Sequence, residues 1–342
     1  MRRTYGKIGV CILILYGSFE EINRIMKKMA RGIVLSVISL LIVSAFVYYL
    51  YMNADKYREL LHFSLPEIVI LFLASLTFPL INGMQNLYMY HSLEAKISPQ
   101  DSFMLAAAST LANQLPISGG VVSKSIYLKH KYNISYFMSL SSITALFFCF
   151  LSVNGVVGII TLLYQLFFKG TSLPIALFGG FFLMASSFLV FWFPTEWLKR
   201  FERLYQLTHQ AVEGWMLISS DRVALLKIVV LQIGLIFLLA VRYWLAFHML
   251  SQNVTFGNVL LFSSASILTQ LVSIAPGGLG VRELIVGAVA SVLGFDVGTS
   301  IVAIGLDRLI STLGIFLTGG TSTVILSRQF SGHSSQEYDK LA

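Results

Sequence analysis

Apolar residues in this chain come in long uncharged blocks and do not alternate with polar ones. A helix rises 1.5 Å per residue, so about 20 apolar residues cross a hydrocarbon core of ~30 Å. Residues 32–52, 68–90, 132–168, 170–195 and 309–327 are each at or near that length, and 225–250 joins them with one internal charge, Arg242. In lipid only a helix satisfies every backbone group within a single segment, so the pattern predicts an all-α polytopic membrane protein with about six spanning helices. Two further apolar stretches are interrupted. Residues 102–115 run into Pro116-Ile-Ser-Gly119-Gly120 and then 121–128; residues 258–275 run into Pro276-Gly277-Gly278-Leu-Gly280 and then 281–293. Proline removes a backbone donor and the glycines admit non-helical dihedrals. Each stretch is therefore a broken span or a hairpin that enters the membrane and returns, with these prolines and glycines as hinges.

Charge separates the two possibilities. With both stretches re-entrant, seventeen Lys and Arg fall on the side of the N-terminus and three (Lys56, Arg58, Lys169) on the other; with both crossing, the split is eleven to nine. Cytoplasmic loops carry the excess of cations. The sequence thus predicts two re-entrant hairpins with both termini cytoplasmic in the cell membrane. Pro116 and Pro276 are 160 residues apart, as are Gly120 and Gly280. The units 66–168 and 226–326 each run span, hairpin, span, and the lone span between them inverts the second unit. Inverted repeats with discontinuous helices are an architecture of transporters, with the site at the repeat interface.

Composition closes other routes. The chain is 56% hydrophobic and 12% charged, against roughly 25% charged in soluble domains, which excludes a soluble enzyme or a free nucleic-acid binder. The two cysteines, Cys11 and Cys149, and the scattered histidines make neither a disulfide framework nor a metal site. No cofactor is expected. Outside the transmembrane domain (32–326) lie a basic segment (1–31) and a short polar tail (327–342), expected to fray. Residues 195–227 carry apolar positions at steps of three or four and predict an amphipathic helix on the cytoplasmic headgroups. Glu20-Glu21, if encoded GAG-GAG, would resemble a ribosome-binding site upstream of Met26. Translation from Met26 instead of Met1 is thus an expectation that sequencing the mature N-terminus tests.

Charged residues inside apolar helices cost ~2.5–3.5 kcal/mol each and therefore face a cavity or a partner. Here they are Lys124, Arg242, Arg282, Glu283, Asp307 and Arg308. Neighbours on a helix point about 100° apart, so pairing across helices is expected, Arg282 with Asp307 and Glu283 with Arg308. That leaves Lys124 and Arg242 without an acidic partner, and a surplus of two positive charges at the repeat interface. The candidate ligand is an anion, most naturally phosphate, held by Arg242 with help from Lys124 or Arg282. A carboxylate that neutralises Arg242 would overturn the anion-carrier reading.

The stretch Ala275-Pro-Gly-Gly-Leu-Gly-Val-Arg-Glu-Leu284, with Leu293-Gly and Leu306-Asp-Arg-Leu309 beyond it, resembles the transmembrane region of lysylphosphatidylglycerol synthases and their stand-alone flippase-like relatives. Leu115-Pro-Ile-Ser-Gly-Gly120 with Lys124 and Tyr127-Leu128 looks like that family's other membrane motif. The resemblance implies a bundle that moves an anionic, aminoacylated or polyprenyl-linked lipid between leaflets. It places Pro276, Gly277, Gly278, Gly280, Arg282, Glu283, Asp307 and Arg308 in the motif core. Two departures matter. No aminoacyl-transferring domain follows residue 326, so the chain is expected to be no enzyme. Where relatives carry a charged pair after the first hairpin, this sequence has Ser141-Ser142-Ile-Thr144. The alternative is an accessory or scaffold subunit for a glycosyl- or aminoacyl-lipid transferase.

Overall fold

The computed structural model describes residues 65–114, 119–170, 173–192, 200–271 and 280–339. The expected span 32–52, the basic N-terminal segment and four hinge residues (Pro116, Pro276, Gly277 and Gly278) lie outside these. Among the described residues all regular structure is helical: α1 (Leu65–Ser92), α2 (Pro99–Ala112), α3 (Gly119–Tyr132), α4 (Tyr136–Lys169), α5 (Ile175–Ser186), α6 (Glu202–Ser219), α7 (Arg222–His248), α8 (Phe256–Ala265), α9 (Val281–Val292) and α10 (Val297–Asp339). Short 3₁₀ turns continue α5 through Ser187–Trp192 and α8 through Ser266–Leu271. Among the described residues five stretches are long and apolar enough to cross a membrane, namely α1, α4, α5 with its 3₁₀ turn, α7, and α10 as far as Gln329. The chain is a multi-pass all-α membrane protein.

Local chemistry sets the ends of these helices. The Ser98 and Ser135 side chains accept from the Asp101 and Met138 amides, capping α2 and α4. Asp221 accepts from Val223 and Ala224 and starts α7. Gly170, at φ 60°, ends α4 in the left-handed region that only glycine enters without strain. Apolar faces left exposed by packing mark the lipid side. Leu309, Leu313, Phe316 and Leu317 form such a stripe on α10, and Val69, Ile70, Leu73 and Leu80 one on α1.

Both interrupted stretches turn back. Asp101 at the start of α2 meets Tyr127, Lys131 and Tyr132 at the end of α3. At the far end, the Gly120 amide donates to Asn113 Oδ1 at 3.0 Å. The two helices therefore lie antiparallel, so α3 returns to the side from which α2 entered. In the second stretch Phe262 of α8 meets Phe295, just past α9, edge-to-face at 6.1 Å, and α9 packs on both α8 and its 3₁₀ turn.

The repeat is visible in the element order. Leu65 and Arg222, Pro99 and Phe256, Gly119 and Val281, Tyr136 and Val297 begin corresponding helices, each within three residues of the 160 offset. The first helices of the two units run antiparallel against each other. Glu67 pairs with His248, Gln85 with Gln232, and the Lys227 ammonium lies over the Tyr88 ring, so numbers rise along α1 as they fall along α7. Packing is reciprocal as well, with α2 against α10 and α8 against α4. Two units so related are inverted copies.

Two expectations change. The amphipathic segment is helical over Glu202–Ser219, but its buried face (Thr208, Ala211, Ile218) docks on α4. At Gly214 an added Cβ would lie 1.9 Å from the Ser141 carbonyl oxygen. Trp215 stacks on Phe191 at 4.4 Å. Apolar spacing predicts an apolar face but not its partner, and here protein is the partner where headgroups were expected. The last span starts at Val297, and its helix runs to Asp339 through the tail expected to fray.

Candidate functional site

A cavity of about 740 Å³ opens between the hairpins and the first helices of both units. Its wall is supplied at helical spacing. On α1 the lining positions are Ser75, Pro79, Asn82, Asn86 and Met89; on α7 they are Gln232, Ile236, Leu239 and Arg242. Pro79 cannot donate to the Ser75 carbonyl one turn back, a defect tolerated at membrane depth where the helix borders a cavity. Lys124, Arg242, Arg282 and Arg308 all line this space, and no carboxylate does among the described residues.

The two acidic residues stand behind the wall, Glu283 1% and Asp307 0% exposed. Arg242 Nε and Nη2 donate to Asp307 Oδ1 and Oδ2, both at 2.9 Å, a bidentate pair with matched fork geometry. Arg308 Nη1 donates to both Glu283 oxygens, at 3.2 and 3.4 Å. The expected pairing of Glu283 with Arg308 is therefore present, whereas Arg282 does not take Asp307. Arg242 does, which is the contact that overturns an anion carrier anchored on Arg242, and any anion site has to rest on other residues. The reason is register: α7 crosses α10 where Arg242 and Asp307 come level, which spacing along either helix alone does not fix.

The positive surplus persists at other residues. Arg282 lies two residues past Gly280, whose φ of 79° opens α9, and among the described residues its buried Nε has no hydrogen-bond partner. The hydroxyl of Tyr243, a neighbour in charge terms, shares a hydrogen bond with Ser266 at 3.0 Å. Lys124, on the first hairpin, points inward and does not snorkel to the surface. Its ammonium donates to Asn86 Oδ1 at 2.6 Å and lies 5.5 Å from the Tyr90 ring centroid. Gly119 and Gly120 let α3 begin against α2, since a Cβ would lie 2.7 Å from the Ala112 oxygen at the first and 2.2 Å from the Ser109 oxygen at the second.

A second polar cluster ties the base of the first hairpin. Asp101 accepts from Tyr127, Tyr132 and Lys131, and Lys131 also donates to Tyr127 and to Gln329 of α10. Burial raises the Asp101 pKa, but hydrogen bonds from Tyr132, Lys131 and Ser98 outweigh it and hold the carboxyl below its usual value. Burial opposes the charge on Lys131, yet its bonds to Tyr127 and Asp101 raise it to about 12.

The wall amides were not singled out in the sequence, although a signal was there. Asn82, Gln85, Asn86 and Met89 stand at steps of three and four within an otherwise apolar span. The site is also asymmetric. At the 160 offset, Arg242, Arg282, Glu283, Asp307 and Arg308 correspond to Asn82, Val122, Ser123, Phe147 and Phe148. The charged machinery belongs to the second repeat, while the first contributes amides, aromatics and Lys124. Ser141 and Ser142, where relatives are expected to be charged, are buried against α6, and Thr144 lines the cavity.

No curated protein and no solved structure matches the chain. A family model for the lysylphosphatidylglycerol synthase TM region matches residues 21–319. The motif-bearing hairpins, both buried ion pairs and the inverted repeat up to residue 319 lie within those residues, and the chain belongs to that family.

Proposed function

We propose that the protein is a flippase-like transporter that carries a lipid between leaflets by its headgroup, and that it performs no reaction of its own. One observation carries the reading. A large cavity within a membrane bundle is lined by four cations and no carboxylate among the described residues, with an unpartnered guanidinium Nε on Arg282. Charge inside a bilayer marks a substrate path. A headgroup phosphate would sit between Arg282 and Lys124 while the acyl or polyprenyl tails stay in lipid. The Lys and Arg asymmetry favours the cytoplasmic membrane with both termini inside. Glu283 and Asp307 are both committed to arginines, so proton coupling through either would have to break an ion pair. Downhill exchange is the simpler reading.

Reconstitution into vesicles with a fluorescent anionic phospholipid tests this. The wild-type protein should speed leaflet transfer, and the Lys124→Gln, Arg282→Gln double variant should lose that acceleration while melting at the same temperature. Unchanged transfer by the folded double variant would overturn the assignment. The scaffold alternative gains nothing from α6, whose face is already occupied by α4.

A further inference from the structure

The cavity is larger, and its wall more mixed in chemistry, than a phosphate alone needs. At about 740 Å³ it falls within the ~300–1,000 Å³ of pockets that enclose a whole drug-sized ligand. Apart from its cations the polar wall is neutral and bonds in both directions. Among the described residues every serine and threonine hydroxyl that lines it donates to a carbonyl three or four residues back. A hydroxyl has one proton and two lone pairs, so each of these oxygens is left as an acceptor. The side-chain amides add both kinds. Asn86 and Asn113 give their oxygens to Lys124 and to the Gly120 amide and keep their N–H donors. Asn154 gives an N–H to the Phe150 carbonyl and keeps its oxygen. Gln85 and Gln232 share one bond and keep the other half of each amide. Asn82, Gln114 and Gln270 line the cavity and make no hydrogen bond among the described residues. Asn82 lies on α1, Gln114 just past α2, and Gln270 in the turn that continues α8. Each hairpin therefore carries an uncommitted amide on its entering leg and a cation, Lys124 or Arg282, on its returning leg. The rings of Phe78 and Phe150 line the same space, with no partner ring among the described residues.

We propose that the cavity binds a polyhydroxylated phosphate, a sugar or cyclitol phosphate, with its phosphate at Lys124 and Arg282 and its hydroxyls at Asn82, Gln114 and Gln270. This rests on the transport reading and names its substrate class. An ionised phosphate oxygen only accepts, so a bare phosphate would leave the acceptors of the wall unused. A hydroxyl accepts and donates at once, and it adds no charge to a wall that already holds four cations. A primary amide carries a donor and an acceptor side by side, which fits two neighbouring hydroxyls of one ring. The C–H face of such a ring is apolar and would cover Phe78 or Phe150.

Two lipids with fluorescent tails and equal charge separate hydroxyl recognition from phosphate recognition: phosphatidylinositol, and phosphatidylethanol, whose headgroup has no hydroxyl. In vesicles holding the full chain, phosphatidylinositol should move at least about tenfold faster, the gain expected from roughly two net hydrogen bonds. Equal rates, or faster phosphatidylethanol, would overturn hydroxyl recognition while leaving transport standing. Gln114→Leu combined with Gln270→Leu should narrow the gap severalfold. A folded double variant that keeps the gap in full would overturn the assignment of the hydroxyls to those amides. Movement of neither lipid would overturn the transport reading, and the chemistry of the site is then decided on the solubilised chain with water-soluble phosphates. Inositol 1-phosphate should raise its melting temperature well beyond what ethyl phosphate does, which would assign the site to a free sugar phosphate. Equal protection by the two, or protection by neither, would overturn the proposal.

Discussion

Arg242 and Asp307 are the clearest case in which a single contact redistributes roles among residues. Both are buried and bidentate, so truncating either leaves an uncompensated charge in a low-dielectric site, a loss of roughly 3–5 kcal/mol. Arg242→Ala and Asp307→Ala should each melt well below wild type in detergent. The double variant should recover part of the loss, because no lone charge then remains. Additive losses in that cycle would contradict a direct pair. Arg282→Gln should cost less. It removes a cation that, among the described residues, no carboxylate holds in a hydrogen bond, so stability should fall less than for Arg242→Ala while anionic-lipid transfer falls. All six intramembrane charges were legible from the sequence, as was one of the two pairs. The other was not, since any of several cations could reach Asp307, and only the crossing of α7 with α10 decides which one does.

At the scale of elements, close backbone approach holds α6. With a Cβ at Gly214 only 1.9 Å from a Ser141 backbone oxygen, Gly214→Ala must lift the helix off α4. The variant should break the stacking of Trp215 on Phe191, exposing Trp215 to quenchers. Unchanged quenching would mean that the contact yields at no cost. The base of the first hairpin gives a pH-dependent counterpart. Asp101 has a lowered pKa in the fold, so its contribution is complete above the ordinary carboxyl pKa of ~3.9 and is lost as pH falls through the lowered value. Lys131 is raised to about 12, so its contribution is complete below ~10.4 and is lost as pH climbs through about 12. The stability gap between wild type and Asp101→Asn should be ~1–2 kcal/mol at neutral pH and should close in acid below Asp101's folded pKa, where the wild-type carboxyl is itself protonated. Hydropathy alone placed the described spans, apart from the start of the last, which lies at Val297 and not at 309. It missed the docking of α6 because amphipathic spacing is the same for a helix facing headgroups and one facing protein.

For the whole molecule, what matters is that the two units are inverted copies, since inversion puts the bases of the two hairpins on opposite faces of the membrane. Periodicity at 160 residues suggests the repeat, and charge asymmetry suggests the inversion. The contacts between α1 and α7 then fix their antiparallel sense, with Glu67 against His248 at one end and Tyr88 against Lys227 at the other. The consequence can be read by labelling. In a protein freed of Cys11 and Cys149, cysteines placed at Lys129 and Ser291, near the ends of α3 and α9, should react with an impermeant maleimide from opposite sides of sealed vesicles. Lys129→Cys should be the cytoplasmic one. Labelling of both from the same side would mean that the hairpins enter from one face, and alternating access by a pair of related gates would lose its structural basis. If the sides are opposite, the charge asymmetry of the site acquires a meaning. The hairpin led by Arg282 would carry the phosphate contact, and the one led by Lys124 would complete it from the other face. Arg282→Gln should then slow transfer in both directions, because the lipid must pass the same guanidinium whichever leaflet it leaves.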